Sequence, residues 1–277
     1  MNSPPEPVLV GRFGRERSTS HPVLADPVLA RILNRRTHRR FRPEIVNPAL
    51  LDALLDVAFS ASSKSDYQQG SVIVVEDALI RKALADLVPA MPWIGTAPAF
   101  LVFCADAARL EAICGLRGHP LPNQNLEAFF NASVDAALLM QTFILAAEQV
   151  GLGCCPISVL RNHLPAVTRI LALPKGVVPV AGLCLGYPAD QGHISQRLPP
   201  SLTRHRDRYQ RPDFSALAAY DQERALRSPT PKEKQRAPEV FGYSEFYGWS
   251  EDKARHAHAR EGSEFGKLVR DHGFSLD

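Results

Sequence analysis

The chain has 277 residues, 45% hydrophobic and 22% charged, and 32 Lys and Arg against 29 Asp and Glu give a formal net charge of +3. That is the profile of a soluble globular chain long enough for a substantial core. A balance this close to neutral excludes any requirement for nucleic acid or anionic lipid as a partner.

The opening Met1-Asn2-Ser3-Pro4-Pro5-Glu6-Pro7 lacks the charged and apolar regions of a signal peptide. No apolar run reaches about 18 residues without polar interruption, so no membrane span and a cytoplasmic location are expected. The five cysteines, Cys104, Cys114, Cys154, Cys155 and Cys184, show no CxxC spacing and read as buried small hydrophobes. A vicinal disulfide at Cys154-Cys155 is possible but strained.

Residues 1–22, rich in Pro, Ser and Arg, look poorly ordered, and Val23 to Leu33 then carries apolar residues at helical spacing. An arginine turn follows: Arg35-Arg36-Thr37-His38-Arg39-Arg40-Phe41-Arg42. Guanidinium forks suit phosphate and carboxylate, so the turn reads as a solvated surface, a nucleic-acid or membrane patch, or a phosphate clamp. Asn47-Pro48 starts a second helix, which runs into the polar loop Ser60 to Gly70.

Ser71 to Val75 is a β-branched strand, Asp77 caps a helix to about Val88, and Ala99 to Cys104 is a second buried strand. Residues 106–127 read as a loop or lid. Ser133 to Val150 is the longest helix. Its polar residues Asp135, Gln141, Thr142, Glu148 and Gln149 share one arc, so it is expected to be buried on most of its surface and stopped by Gly151. A short extended segment at 155–160, a helix near 165–173 and a strand at 177–186 complete a domain over 23–200. Residues 201–277 are charged, with helical pieces near 214–226 and 249–272, and read as an extension wrapping the domain or a dimer partner.

No GxGxxG, P-loop or GxSxG motif is present. His256 and His258 stand two apart on a helix and point to different faces, which disfavours a metal. No catalytic acid or base stands out.

What remains is an ordered set of motifs. Arg35-Arg36-Thr37-His38-Arg39-Arg40-Phe41 comes first, then Ser63-Lys64-Ser65-Asp66-Tyr67-Gln68, Gly151 through Val159, and Leu185-Gly186-Tyr187-Pro188. In that order they resemble the nitroreductase family of FMN-dependent NAD(P)H oxidoreductases. Pro188-Ala189-Asp190, Arg197-Leu198-Pro199, Ala219-Tyr220-Asp221 and Trp249-Ser250 are similar to its larger, oxygen-insensitive, NADPH-linked branch.

The resemblance implies an α+β fold, a mixed β-sheet flanked by helices, and a homodimer with FMN at the interface. It assigns Arg35, Arg39 and Arg197 to the phosphate and flavin O2 regions, with Arg36 and Thr37 supplying donors. Ser65, Asp66 and Gln68 would face the ribityl chain or pyrimidine edge. Ile157, Ser158 and Val159 would approach the ring near N5, with Pro156 packed on it. Three departures stand out: Asp66 for Asn, Ser158-Val159 for Gly-Gly, and Ser195 for a lysine.

The activity implied is hydride transfer from NAD(P)H, NADPH favoured, through FMN to a nitroaromatic, quinone or related electrophile. Dehalogenation, dehydrogenation or flavin chemistry is the alternative within the family, and basic nucleic-acid binding the alternative outside it. Met91, Trp93, Phe129 and Phe130 line a substrate pocket or pack the core. Arg224, Arg227, Lys232, Lys234 and Arg236 hold a 2′-phosphate or form a solvated charge run.

Overall fold

The computed structural model describes residues 6–14 and 21–276. Its helices are α1 (Glu6–Phe13), α2 (Pro27–Asn34), α3 (Pro48–Phe59), α4 (Ala78–Asp86), α5 (Trp93–Thr96), α6 (Ala108–Leu116) and α7 (Leu126–Gln149). After them come α8 (Leu164–Ile170), α9 (Pro200–Thr203), α10 (Ser215–Arg227), α11 (Pro238–Phe241), α12 (Trp249–His258) and α13 (Phe265–Asp271). The strands are β1 (Gly70–Val74), β2 (Ala99–Asp106), β3 (Gly153–Ile157) and β4 (Val177–Gly186). Two compact units result, one of residues 1–35 and 193–261, the other of 36–192 and 262–277.

The larger unit is α+β. Its strands run in the order β1-β2-β4-β3, all paired antiparallel. The one parallel contact described at the sheet is the bridge Thr37–Cys154. The strands read as continuous apolar runs because both faces are covered. Leu101, Phe103, Leu183 and Leu185 pack under α3 and α7, through Leu51, Leu54, Phe143 and Ile144. Phe100, Val102, Cys104 and Cys184 face the other way, onto Leu84, Ile94, Leu160 and Val167. This is the period of two expected of a strand.

Cys154 falls in the first layer and Cys155 in the second, so the two side chains leave opposite faces of the sheet. None of the five cysteines forms a disulfide among the described residues, and four are buried. Pro179 is tolerated inside β4 because the register slips there: Phe103 pairs with Ala181 but Cys104 with Pro179. The bypassed Val180 carbonyl accepts from Arg161 Nη1 at 2.5 Å.

Side-chain caps set the starts of α3 and α4. The Asn47 side chain accepts from the Ala49 amide at 2.9 Å, and Asp77 caps α4 in the same way. The expected helix from Val23 is instead broken at Asp26, whose side chain caps α2 with Pro27 at its first position. Residues 108–116, expected as loop, are helical, and α7 already begins at Leu126, where Asn125 caps it. Low order was expected throughout 1–22, yet Glu6–Phe13 is helical and Leu9 and Arg12 are buried; residues 1–5 and 15–20 lie outside the described residues.

α7 is long and apolar enough, by length and composition, to cross a membrane. Here it forms a layer over the sheet, but it is not buried on most of its surface. Ala132, Asp135, Ala136, Leu139, Phe143, Ile144 and Ala147 face inward, and Asp135 leaves its polar arc for the interior. Leu126, Phe130, Val134 and Leu138, four residues apart in turn, form an exposed apolar stripe.

The smaller unit pairs the N-terminal segment with most of the extension. Tyr220 of α10 stacks edge-on against Trp249 of α12, and Asp221 accepts from the Ser250 amide at 2.9 Å. Gly248 gives these helices room, since a Cβ there would lie 2.7 Å from Asp221 Cγ.

Candidate active site

The arginine segment is fastened to the edge of the sheet. Thr37 bridges Cys154, and the His38 amide donates to the Cys154 carbonyl at 3.0 Å. Farther on, Arg42 N donates to Tyr187 O at 2.8 Å and Ala189 N to Arg40 O at 3.0 Å. The Gly-Leu-Gly stretch makes this close approach possible. Gly151 turns the chain out of α7 at φ +86, a conformation that favours glycine, and a Cβ on Gly153 would lie 2.8 Å from Pro188 Cγ and 2.9 Å from His38 Cδ2.

This anchoring divides the cations. Arg40 pairs with Asp190 at 2.6 Å, and Arg42 pairs with Glu44 at 3.2 Å while lying over the Tyr187 ring. The Arg40 hydrogen bond is the main reason the Asp190 carboxyl lies below its ordinary range. Arg36 and Arg39 form no described ion pair. Arg36 Nε is buried with no hydrogen-bond partner. Arg39 is exposed, and its guanidinium lies 5.7 Å from the centre of the Trp93 ring. Burial pushes the Cys155 thiol up, and Arg39 pulls it the other way, so that cation also lies near β3.

Beyond Cys155 the chain alternates. Pro156 and Ser158 are exposed, Ile157 is buried and Val159 is half-buried. The exposed Pro156 presents an apolar surface on β3.

The loop before β1 is built around Asp135. Its carboxylate accepts from Ser63 Oγ at 2.8 Å, Lys64 N at 2.9 Å and Gln69 N at 3.1 Å. Three non-glycine residues take left-handed backbone there: Ser65 at φ 51, Asp66 at φ 58 and Gln68 at φ 53. Each such residue costs roughly 1–2 kcal/mol, so the surrounding bonds must hold the shape. Gln68 Nε2 donates to Asp66 Oδ1 at 3.1 Å. From α6, Arg109 donates to Gln68 O, to Ser71 Oγ at 2.5 Å and to Asp106 Oδ2 at 3.0 Å. The loop borders a groove of about 310 Å³, which Phe59, Ser62, Ser63, Gln68 and Arg109 help to line.

These expected site residues do not converge within the unit. Ile157 pairs with Gly182, Gly182 with Val102, and Val102 with Ile73, so Pro156–Val159 and the 63–69 loop occupy opposite edges of the sheet. Three strand spacings separate the edges, roughly 14 Å.

In the smaller unit Arg12, buried, donates to Arg35 O at 2.5 Å and to Ser195 O at 2.8 Å, and its own carbonyl accepts from Arg197 N at 2.6 Å. The Arg197 side chain is exposed. The basic run is largely engaged: Arg224 donates to Gln196 O at 2.8 Å, Arg227 pairs with Glu223, and Arg236 pairs with Asp252 at 3.1 Å. Met91 and Trp93 pack against the core, and Phe129 stacks on Phe265 and Phe274; Phe130 is exposed. Arg12, Arg109 and Asp135 are the residues that sequence reading passed over. A signal existed only for Asp135, a carboxylate on an otherwise apolar helix.

Residues 32–187 match the nitroreductase family. The chain belongs to that family. It is 38% identical over 202 residues to the oxygen-insensitive NADPH nitroreductase of Salmonella typhimurium, covering 72% of this chain and 81% of that protein. It is 35% identical over 200 residues to an NAD(P)H FMN reductase of Bacillus subtilis, covering 71% and 80%. Its structure is similar to NfrA2 of B. megaterium, with a TM-score of 0.81, 30% identity, and 90% of this chain and 98% of that one covered.

Proposed function

We propose that this nitroreductase-family chain passes hydride from NAD(P)H, with NADPH favoured, through FMN to a nitroaromatic, quinone or related electrophile. The broader activity, FMN-dependent oxidoreduction at the expense of NAD(P)H, is that of its family. The observation that carries the reading is the split of the arginine segment. Arg40 and Arg42 are taken up by carboxylates, while Arg36 keeps an unpartnered buried Nε and Arg39 an exposed guanidinium beside β3.

When bound, FMN supplies the two-electron redox chemistry. The chain binds, orients and screens it. Arg36, Thr37 and Arg39 take the phosphate end, and Arg35 and Arg197 carry the same expectation in the smaller unit. Pro156 packs on the ring, with Ile157, Ser158 and Val159 near its reacting edge, and Ser65, Asp66 and Gln68 take the ribityl chain or pyrimidine edge. Residues 23–200 form the FMN-binding domain in this reading, with 201–277 an extension wrapping the domain or partner. Reduced pyridine nucleotide as donor fits a cytoplasmic protein.

The working form is a homodimer. Two observations support it: the 63–69 loop and Pro156–Val159 lie on opposite sheet edges, and α7 exposes Leu126, Phe130, Val134 and Leu138. A second copy covering the stripe could bring the loop of one chain to the β3 edge of the other. Sedimentation tests this: the wild type runs as a dimer, and Val134→Arg weakens it. A wild-type monomer that binds FMN at full strength would refute the two-chain site.

The activity test follows NADPH loss on adding a nitroaromatic or a quinone to the flavin-loaded protein. Turnover with either supports the reading. Oxygen-dependent flavin loss without acceptor turnover would favour flavin chemistry instead.

A further inference from the structure

Arg12 lies on α1, ahead of residues 32–187 that match the family. It is 5% exposed, and its guanidinium donates to three backbone carbonyls. Nε and Nη2 donate to Leu33 O at 3.2 and 2.9 Å, Nη2 also to Arg35 O at 2.5 Å, and Nη1 to Ser195 O at 2.8 Å. Its own carbonyl accepts from Arg197 N at 2.6 Å. One residue thus joins the end of α2 to the 195–197 stretch.

The rest of that stretch is clamped too. Gln196 O accepts from Tyr220 OH at 3.2 Å and from Arg224 Nη1 at 2.8 Å. α1 is held in turn by Arg227 Nη1, which donates to Val10 O at 2.9 Å, and by the buried Leu9. Arg35 and Arg197 therefore start from fixed backbone, which lowers the entropy lost when a long side chain grips an anion. A planar five-donor fork can span two segments at once, whereas a lysine ammonium is a point donor.

We propose that Arg12 is a positioning residue of the flavin site: it fixes the backbone from which Arg35 and Arg197 reach the cofactor. The proposal rests on reading those two arginines as FMN residues. It makes α1 a working part of the enzyme although α1 stands outside the family match.

The test is FMN titration of the full-length chain as wild type, Arg12→Lys, Arg197→Ala and the double variant. Amide exchange is followed alongside. Arg12→Lys keeps the charge but cannot bridge, and it raises the FMN dissociation constant about tenfold. In the Arg197→Ala background the same change does much less, because one side chain it positions is gone. Exchange quickens at residues 195–197 while β1 to β4 stay protected.

Wild-type affinity in Arg12→Lys, or an equal loss in both backgrounds, would overturn the proposal. So would exchange quickening evenly through α1 and α10, the mark of a role confined to holding the unit together. Arg197→Ala binding FMN like the wild type would instead overturn the flavin reading of Arg197.

Discussion

The His38 amide meets the Cys154 carbonyl at 3.0 Å, over a glycine, Gly153, whose missing side chain leaves room for the His38 ring. That contact turns a run of arginines into an edge segment of the sheet. Gly153→Ala would push a methyl against Pro188 Cγ at 2.8 Å and His38 at 2.9 Å. Overpacking of this kind costs about 1–3 kcal/mol. Urea unfolding checks that loss, and a flavin titration checks the accompanying fall in FMN affinity.

The division of the arginines gives a paired prediction. Arg39 has no described carboxylate partner, whereas Arg42 has Glu44 and the Tyr187 ring. Arg39→Ala loses charge-assisted contacts to the phosphate, which raises the FMN dissociation constant by about 10- to 100-fold. Arg42→Ala leaves it within about twofold, since its contacts are exposed and internal. Flavin fluorescence on titration reads both.

Asp135 holds the loop from behind. In Asp135→Asn an amide NH₂ replaces one of the oxygens that now accept from Ser63, Lys64 and Gln69. One buried donor must then go unmet, at a cost of about 1–3 kcal/mol. The left-handed residues Ser65, Asp66 and Gln68 lose their support, so amide exchange across 63–69 quickens while β2 and β4 stay protected.

Much of this was legible in the sequence because the signals are local. The β-branched and aromatic runs at 71–75, 99–104 and 177–186 needed no partner to be recognised, and Asn47-Pro48 and Asp77 carry their caps with them. The arginine motif was equally plain, but which cations are free was not, because Asp190 and Tyr187 stand far along the chain. Arg12 was invisible for the same reason: the groups it bridges at 33, 35 and 195 are carbonyls, which every residue has. Asp135 went astray because helical spacing counts polar residues as outward-facing, and only the loop it binds draws it inward. Residues 106–127 misled through Gly115, Gly118, Pro120 and Pro122, since α6 runs through Gly115 and stops just before Gly118.

His272 gives a pH dependence. Burial holds its imidazole below the ordinary histidine range, against the raising effects of Asp271 and the Pro174 carbonyl. The unfolded chain therefore binds a proton at higher pH than the folded one. Stability from this group is complete above the ordinary histidine value of about 6.5 and is lost as pH falls from there toward the folded value. Thermal unfolding between neutral and mildly acidic pH should fall more steeply for the wild type than for His272→Gln.

The most direct measurement is anaerobic: add NADPH in small steps to the purified chain reconstituted with FMN and follow the flavin absorption band. The flavin should co-elute with the protein and bleach completely with about one NADPH per FMN, since each hydride carries two electrons. A protein that stays colourless after exposure to FMN, or bound flavin that NADPH and NADH both leave oxidised, would contradict the account.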